Sequence, residues 1–247
     1  MTEKMSRRIF VFWPGANPMS DNRMRCLETM GSSECDIILV DRSELPKWVL
    51  QDHPLHPAFQ YLSPIHQSDY LRAYFMHFHG GGYSDIKRTT ASWAESLERM
   101  EADGSLGVGY AELRDGVALV NKSHIDGVYY YLGRRSFYIF NKIAYLHLRR
   151  NHAQLIGNCA FAFRPRTEFT EQWLDIVERR LDALLPHLIQ NPARHPKERR
   201  GVDYGDGPSR YPLAWSFLLG DVLAPLSYRY RSRLGRHLPP PDFRDYE

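Results

Sequence analysis

The sequence predicts a single α/β domain built around a central, mostly parallel β-sheet. The first observation is the apolar run RRIFVFW at 7–13, which is too short for a signal segment and ends in a Pro-Gly turn. The second is a similar run, DIILVD at 36–41, with a helical stretch at 19–30 between the two. Strand, helix and strand in this order start a βαβ unit with a parallel sheet. Thirdly, a chain of 247 residues without a low-complexity linker suits one sizeable core.

The other elements follow from the same kinds of pattern. Ser20 is the predicted N-cap of the helix at 19–30. Apolar side chains at helical spacing predict a helix over 65–78, and the glycines at 80–82 are its stop signal. The later predicted elements are a strand at 83–86, a helix at 92–102, a strand at 105–111, a partly helical aromatic-rich segment at 126–150, a strand at 155–163, a helix at 167–190 capped by Thr167, a loop at 191–210 and a last helix at 211–223.

Composition narrows the class of protein. The sequence has no apolar run of the roughly 18–20 residues that a membrane span needs. Its cysteines, Cys26, Cys35 and Cys159, are scattered without metal-ligand spacing, as is typical of a reducing cytoplasm. A net charge of +3 is too small to indicate nucleic-acid binding. We therefore expect a cytoplasmic protein with no nucleic-acid partner and at most a peripheral contact with the inner face of a membrane. The basic tail at 227–237 is most simply a solvated face, and contact with a membrane surface is the alternative interpretation.

The stretch from Ser63 to Thr90 carries the strongest candidates for chemistry. Asp69 and Arg72 are three positions apart, so they share one face of the predicted helix. They are either a solvated surface ion pair, worth a few tenths of a kcal/mol, or a pair of ligand-binding groups. Asp85 follows the strand-like residues after the glycines, and the end of a strand is a natural place for a ligand group in an open α/β sheet.

The same block resembles a known signature. Glycosyltransferase family 32 and the bacterial capsular polysaccharide synthesis proteins share the pattern Ser-Asp-x-x-Arg, a helix, and then Gly-Gly-x-Tyr/Trp-x-Asp. The sequence SDYLRAYFMHFHGGGYSDI is similar to it over the whole block, and the detailed resemblance covers about 7–90. The matching residues are Ser68, Asp69, Arg72, Gly80, Gly81, Gly82, Tyr83 and Asp85.

The resemblance implies a single GT-A type, Rossmann-like domain over 1–247. Its half at 1–90 would bind a nucleotide-diphosphate sugar, and the half at 91–247 would include the acceptor side and the C-terminal tail. The implied activity is transfer of the sugar to a hydroxyl of a glycan or lipid-linked glycan, with retention of configuration, in capsular or other cell-surface polysaccharide synthesis. Asp69 and Arg72 would contact the sugar and diphosphate. Asp85 would hold the ribose or reach a metal ion.

This sequence departs from the pattern two residues after Asp85. The family often has a second metal-binding Asp there, but this chain has Lys87, which cannot bind a divalent cation when protonated. Either Asp85 holds Mn²⁺ or Mg²⁺ with help from elsewhere, such as Asp203, Asp206 or histidines, or Lys87, with Arg88, supplies the positive charge itself. A third interpretation is that Lys87 and Arg88 are solvated cations after a strand.

Further donor-binding candidates lie along the chain. Phe12 and Trp13 are candidates to stack on the base, although aromatic residues at strand ends also belong to cores. Asn158 is a candidate to contact sugar hydroxyls. The resemblance also implies a loop that closes on the diphosphate, which gives Asp206, Ser209, Arg210 and Tyr211. His77 and His79 point apart on a helix and are expected to be surface or hydrogen-bonded residues instead of metal ligands.

Two other functions stay open. Lys87 is compatible with a non-catalytic relative that binds a nucleotide or carbohydrate after losing a metal site. The same fold would also serve a transferase of another phosphate-activated group.

Overall fold

The computed structural model describes residues 7–122 and 124–244, so the ends of the predicted domain and Ser123 lie outside the described residues. The strands are β1 (Arg8–Trp13), β2 (Asp36–Asp41), β3 (Gly81–Ser84), β4 (Gly107–Ala111), β5 (His124–Ile125), β6 (Val128–Tyr131), β7 (Arg134–Ser136), β8 (Ile156–Phe163) and β9 (Leu234–Gly235). The α-helices are α1 (Asp21–Thr29), α2 (Pro64–Phe78), α3 (Ala94–Asp103), α4 (Tyr138–Arg150), α5 (Glu168–Gln190) and α6 (Gly220–Arg229).

The predicted mostly parallel central sheet is confirmed. Six strands pair in the order β2-β1-β3-β8-β4-β9, and β8 alone among them runs antiparallel to its neighbours. The pairing of β1 with β2 is parallel from Arg8 and Asp36 to Trp13 and Asp41, as the βαβ pattern predicts. The carboxyl ends of β1 to β4 and the amino end of β8 therefore meet at one side of the sheet, which we call the carboxyl edge.

Both faces of this sheet are covered. Strand side chains alternate between faces, so Phe10 and Phe12 pack with α2, α5 and α6, whereas Ile9 and Val11 pack with α1 and α3. Burial on both sides explains why β1 is a continuous apolar run instead of an alternating one. β1 therefore contributes side chains to the cores on both faces, and it pairs with β3, the strand that leads to Asp85.

The three glycines have a packing role that the sequence pattern does not predict. Gly80, at φ +62°, lies just after α2 in a conformation that glycine adopts without strain. Gly81 and Gly82 lie inside β3, two residues earlier than the strand predicted at 83–86. A Cβ on Gly82 would come within 2.9 Å of the Trp93 ring, so close strand-to-helix packing requires glycine there.

Two predictions for the second half need correction. The last helix is at Gly220–Arg229, not at 211–223. Residues 211–219 form no regular helix because Tyr211, Leu213 and Leu218 fill the core from an irregular segment. The segment at 126–150 begins with strands β6 and β7 of a three-stranded antiparallel sheet, β5-β6-β7, before the helix α4.

The turns of this small sheet explain why it forms. Its first two-residue turn has Asp126 at φ +47° and Gly127 at +77°, and the second has Leu132 at +46° and Gly133 at +75°. Two successive positive φ values are the mark of the type I′ turn, whose twist matches that of antiparallel strands. The Asp-Gly pair was therefore a readable hairpin signal in the sequence.

Candidate functional site

Asp85 is the centre of a charged cluster at the carboxyl edge. Its backbone N–H donates to the carbonyl oxygen of Cys159 over 2.7 Å, which extends the β3–β8 pairing one residue beyond the strand. Its Oδ1 accepts hydrogen bonds from Tyr83 Oη at 2.6 Å and from Arg72 Nη2 at 3.1 Å. Its Oδ2 accepts from Lys87 Nζ at 2.7 Å. One carboxylate thus orients two cations and a phenol.

Arg72 connects α2 to both neighbouring strands. Its Nη1 donates to the carbonyl oxygen of Asn158 at 3.2 Å, and its guanidinium carbon lies 4.3 Å from the centre of the Tyr83 ring. Its Nη1 also lies 3.7 Å from Asp69 Oδ1, and the two side chains are only 9% and 6% exposed. The interpretation of Asp69 and Arg72 as a solvated surface ion pair is therefore wrong, because both side chains point into the protein.

Lys87 is also buried, so its interpretation as a solvated cation is wrong. Its Nζ donates to Cys159 Sγ at 3.1 Å in addition to Asp85, and it lies 5.1 Å from the centre of the Phe243 ring. The C-terminal segment crosses this side of the site, where Asp242 N–H donates to the Arg88 carbonyl oxygen at 2.9 Å. The Arg88 side chain, in contrast, is exposed.

Burial and charge set the protonation of the cluster. Although burial by itself would raise the pKa of Asp85, the ammonium of Lys87 and the guanidinium of Arg72 hold it well below its usual range. Burial by itself would lower the pKa of Lys87, but the Asp85 carboxylate raises it above its usual value. Asp69 differs, because burial raises its pKa to about 7 against the weaker opposite effect of Arg72. Asp85 is thus a fixed anion, Lys87 a fixed cation and Asp69 a group that titrates near neutrality.

The surroundings of Asp85 do not fit a divalent cation. Both carboxylate oxygens already accept from cationic or phenolic donors, and the Lys87 ammonium at 2.7 Å from Oδ2 would repel a cation bound there. Across residues 7–122 and 124–244 no group of three His, Cys, Asp or Glu side chains is placed to hold a metal ion. The carboxylate is better matched to the two cations that it already binds.

A cleft lies at the carboxyl ends of β1 and β2, on the same edge of the sheet as the charged cluster. It has a volume of about 380 Å³, and its lining includes Pro14 to Ala16, Arg42, Pro64 and Gln67. The chain leaves β1 towards β2 on one side and later returns to β3 on the other, so the topological switch point of this sheet lies between β1 and β3. Asp85 directly follows β3 and is therefore next to the switch point, whereas the cleft lies on the β2 side of β1. Trp13 is half-buried beside the cleft, and its indole N–H donates to the Asn17 carbonyl oxygen at 2.7 Å. Arg42 and Gln67 are site residues that the sequence motifs did not reveal.

Glu112 is a further group that the sequence reasoning missed. It directly follows β4 at the carboxyl edge, and its Oε2 accepts from Asn158 Nδ2 at 3.4 Å. Burial raises its pKa. The buried Oδ1 of Asn158 has no hydrogen-bond partner among the described residues. The rule that singled out Asp85, an acid just after a strand, would have found Glu112 too.

Several predicted donor-binding residues lie away from the charged cluster. The Phe12 ring is in the core, stacked on Tyr83 with the ring centres 5.3 Å apart. Gly81 and Gly82 are buried at the opposite end of β3 from Asp85. Arg210 is exposed. Ser68, in contrast, belongs to the cluster, because it is buried next to Asp69 on α2 and its side chain is hydrogen-bonded to that of Tyr83.

The loop before α6 packs against the start of α2. Ser209 Oγ donates to Glu198, and Tyr211 Oη accepts from the Ser63 N–H at 3.2 Å. Both side chains are buried, so they hold the loop in place. Asp206 forms an ion pair with Arg194. His77 and His79 contact separate partners, Thr170 and the Trp48 carbonyl oxygen.

No protein-family model matches this chain, and no curated protein or solved structure is significantly similar to it. Within the described part of the chain, no helix is both long enough and apolar enough to cross a membrane. Function is therefore inferred from the contacts, burial and charge of the site, together with the motif at Ser68 to Asp85.

Proposed function

We propose that this protein is a GT-A type glycosyltransferase that moves a sugar from a nucleotide-diphosphate donor to a hydroxyl of a glycan or lipid-linked glycan acceptor. We place it in the synthesis of capsular or other cell-surface polysaccharide. The observation that carries the proposal is the pair of buried cations, Arg72 and Lys87, that Asp85 orients at the carboxyl end of β3, next to the topological switch point between β1 and β3. The Ser-Asp-x-x-Arg and Gly-Gly-x-Tyr-x-Asp block points to the same chemistry.

The proposed chemistry follows from where charge develops. The bond between the sugar's anomeric carbon and the diphosphate oxygen breaks, and the new bond forms to the acceptor oxygen. Negative charge grows on the leaving diphosphate, and fixed cations at that position lower the barrier without reorganising. With retention of configuration, the leaving diphosphate takes the proton of the acceptor hydroxyl, so no strong protein base is required.

Each part of the site has a matching role. The cleft lined by Pro14 and Arg42, with Trp13 just before Pro14 in the chain, suits the nucleoside, since an indole offers a stacking face and a guanidinium can bind an anionic or hydroxyl oxygen. Asp69, Asn158 and Glu112 suit sugar hydroxyls, which need both donors and acceptors. The unpartnered Oδ1 of Asn158 is one such acceptor.

The first test is donor binding and slow hydrolysis. We expect the purified protein to hydrolyse at least one member of a nucleotide-sugar panel in the absence of acceptor, measured as release of the nucleoside diphosphate. Arg72→Ala should lower this rate by at least about 100-fold, because it removes a charge that acts on the leaving group. Arg99→Ala, an exposed arginine on α3, is the matched control and should keep the full rate. A panel that gives neither binding nor hydrolysis would contradict the proposal.

The second test concerns metal dependence. We propose that Lys87 and Arg72 supply the positive charge, and we therefore expect donor hydrolysis to persist within about twofold in excess chelator. The physical reason is that both oxygens of Asp85 are already bound by protein donors. Loss of hydrolysis in chelator, restored by Mn²⁺ or Mg²⁺, would show that a metal ion carries this charge instead.

One observation favours a binding function without catalysis. Phe243 lies over Lys87, and the cluster around Asp85 is closed on itself, so a ligand could be held beside the cluster without reaction. Under that alternative, a nucleotide sugar binds with measurable affinity by calorimetry, but no nucleoside diphosphate is released during prolonged incubation.

A further inference from the structure

Helix α4 exposes an apolar face that the proposed activity does not use. Ile139, Ile143 and Leu146 are 70%, 63% and 54% exposed, and their spacing of four and three residues places them on one side of the helix. Phe137 and Phe140 extend this face at the start of the helix and are also exposed. The opposite side of the helix carries Asn141 and Leu148, which are buried against the protein. Contiguous exposed apolar side chains of this kind mark an interaction surface.

The border of this face is cationic. Between Asp126 and Glu168 the sequence contains no Asp or Glu. Arg149 is paired with Asp115 at 2.9 Å, but the remaining cations of α4 and its adjoining hairpin are exposed, namely Arg134, Arg135, Lys142 and Arg150. We call these four cations, with Phe137, Ile139, Phe140, Ile143 and Leu146, the α4 surface.

We propose that the α4 surface docks on an anionic lipid membrane, with the axis of α4 lying along the bilayer surface. An apolar helix face bordered by lysine and arginine is the arrangement that binds at a lipid interface, because apolar side chains enter the acyl region while cations meet lipid phosphates. Aromatic rings at a lipid interface strengthen such a contact. Tyr138 of α4 is exposed and packs on Tyr129 with the ring centres 5.8 Å apart.

The positive charge of the α4 surface favours an anionic lipid membrane as its partner instead of a second copy of the chain. A twofold contact would place this face against itself, and its exposed cations would then face like cations without any acidic residue from the same stretch to pair with. An anionic bilayer offers opposite charge at every position of the border. The occupant that fits both the apolar centre and the cationic border is therefore the membrane.

The position of α4 connects this surface to the candidate site. The hairpin strands and α4 lie in the chain between the end of β4 and the start of β8, and both of those strand ends belong to the carboxyl edge. Docking would hold this edge close to the bilayer. If the proposed function is correct, a lipid-linked acceptor would then reach the site from the membrane surface, whereas the docking itself does not depend on that function.

The test is flotation of the intact protein with vesicles. We expect it to float with vesicles of phosphatidylcholine and phosphatidylglycerol in equal amounts, to stay in solution with phosphatidylcholine alone, and to be released by high salt. Lys142→Glu should weaken binding at least about fivefold, which is the effect of one cation near such a surface. The double variant Ile139→Asn, Ile143→Asn should weaken it at least about tenfold. The matched control is Met24→Asn with Arg99→Glu, exposed positions on α1 and α3 across the sheet, and it should bind as wild type.

The outcomes that overturn the proposal are separate from those of donor hydrolysis. Equal recovery with both kinds of vesicle, or unchanged binding by Lys142→Glu, contradicts docking through this surface even if every nucleotide sugar is hydrolysed. A wild-type dimer in light scattering that Ile143→Asn converts to monomer, without vesicle binding, would assign the surface to self-association. Thermal unfolding of each variant checks folding, and the salt and lipid dependence of the wild type decides the question if a variant does not fold.

Discussion

Asp85→Asn is expected to lower the free energy of unfolding by about 3–5 kcal/mol and to abolish donor hydrolysis. The side chains of Arg72 and Lys87 are 9% and 6% exposed, and Asp85 is the anion that binds both. Removing one partner of a buried ion pair costs this much because the remaining charge stays buried without compensation. Here two cations lose their common partner. Urea denaturation at pH 7 measures the change.

A surface pair provides the matched control for this substitution. Asp175 and Arg179 are paired at 2.8 Å on α5, but both side chains are largely exposed. Asp175→Asn should therefore change the free energy of unfolding by less than about 1 kcal/mol. Adding Lys87→Met to Asp85→Asn should recover part of the loss, since it removes one of the two uncompensated charges. A cost for Asp85→Asn as small as that of the control would mean that the cluster does not stabilise the fold.

Spacing along the chain was enough to bring the main charged residues into one block. Helical periodicity places Asp69 and Arg72 on one face, and an acid that follows a strand of a parallel sheet belongs at its carboxyl edge, where Asp85 lies. Spacing along the chain does not predict how deeply these side chains are buried. Whether the Asp69–Arg72 face points to solvent or into the protein depends on which elements pack against that side of α2. These elements are β3 and β8, which contact this side of the helix only in the folded protein.

The same limit explains why some predicted residues lie elsewhere. Phe12 and Trp13 are adjacent in β1, but alternation sends one ring into the core and leaves the other beside the cleft. Tyr211 was expected on a loop over the donor, and its burial against Ser63 depends on a contact between distant parts of the chain. Local patterns do not encode such pairings.

Two further differences between the predicted and the observed elements had a signal in the local sequence, but that signal competed with the helical pattern. The aromatic residues at 129–131 suit either a helix or a strand, and the Asp126-Gly127 turn decides for the strand. Residues 211–219 are apolar enough for a helix, yet Pro212 and the burial of Leu213 and Leu218 keep the segment irregular. In both places tertiary packing and turn geometry override the periodicity.

Asp69→Asn is expected to stabilise the protein relative to wild type as the pH rises from 4 to above 7. Burial raises the pKa of Asp69 to about 7 from an ordinary value of 3.8, so the folded protein binds more protons than the unfolded chain between these values. Stability contributed by this group is therefore present below pH 4 and is lost as the pH rises through 7. At about 1.36 kcal/mol for each pKa unit, the loss is roughly 4 kcal/mol. Because an Asn side chain does not ionise, the Asp69→Asn variant does not lose this stability as the pH rises.

The wild-type profile alone would hide this effect because a neighbour opposes it. His66 is buried on the same helix, where its Nε2 faces the Ala214 carbonyl oxygen at 3.1 Å, and burial lowers its pKa to about 4. The unfolded chain then binds the extra proton between pH 4 and 6.5, so the contribution of His66 to stability rises with pH while that of Asp69 falls.

The measurement that separates the two is the difference in free energy of unfolding between Asp69→Asn and wild type across pH 4 to 8. All other groups, His66 included, cancel in this difference, which should grow by roughly 4 kcal/mol and level off above pH 7. A constant difference for Asp69→Asn would mean that this carboxyl is already ionised at pH 4. It would then act as a permanent partner of Arg72 and could not be a group that donates a proton to a sugar hydroxyl near neutrality.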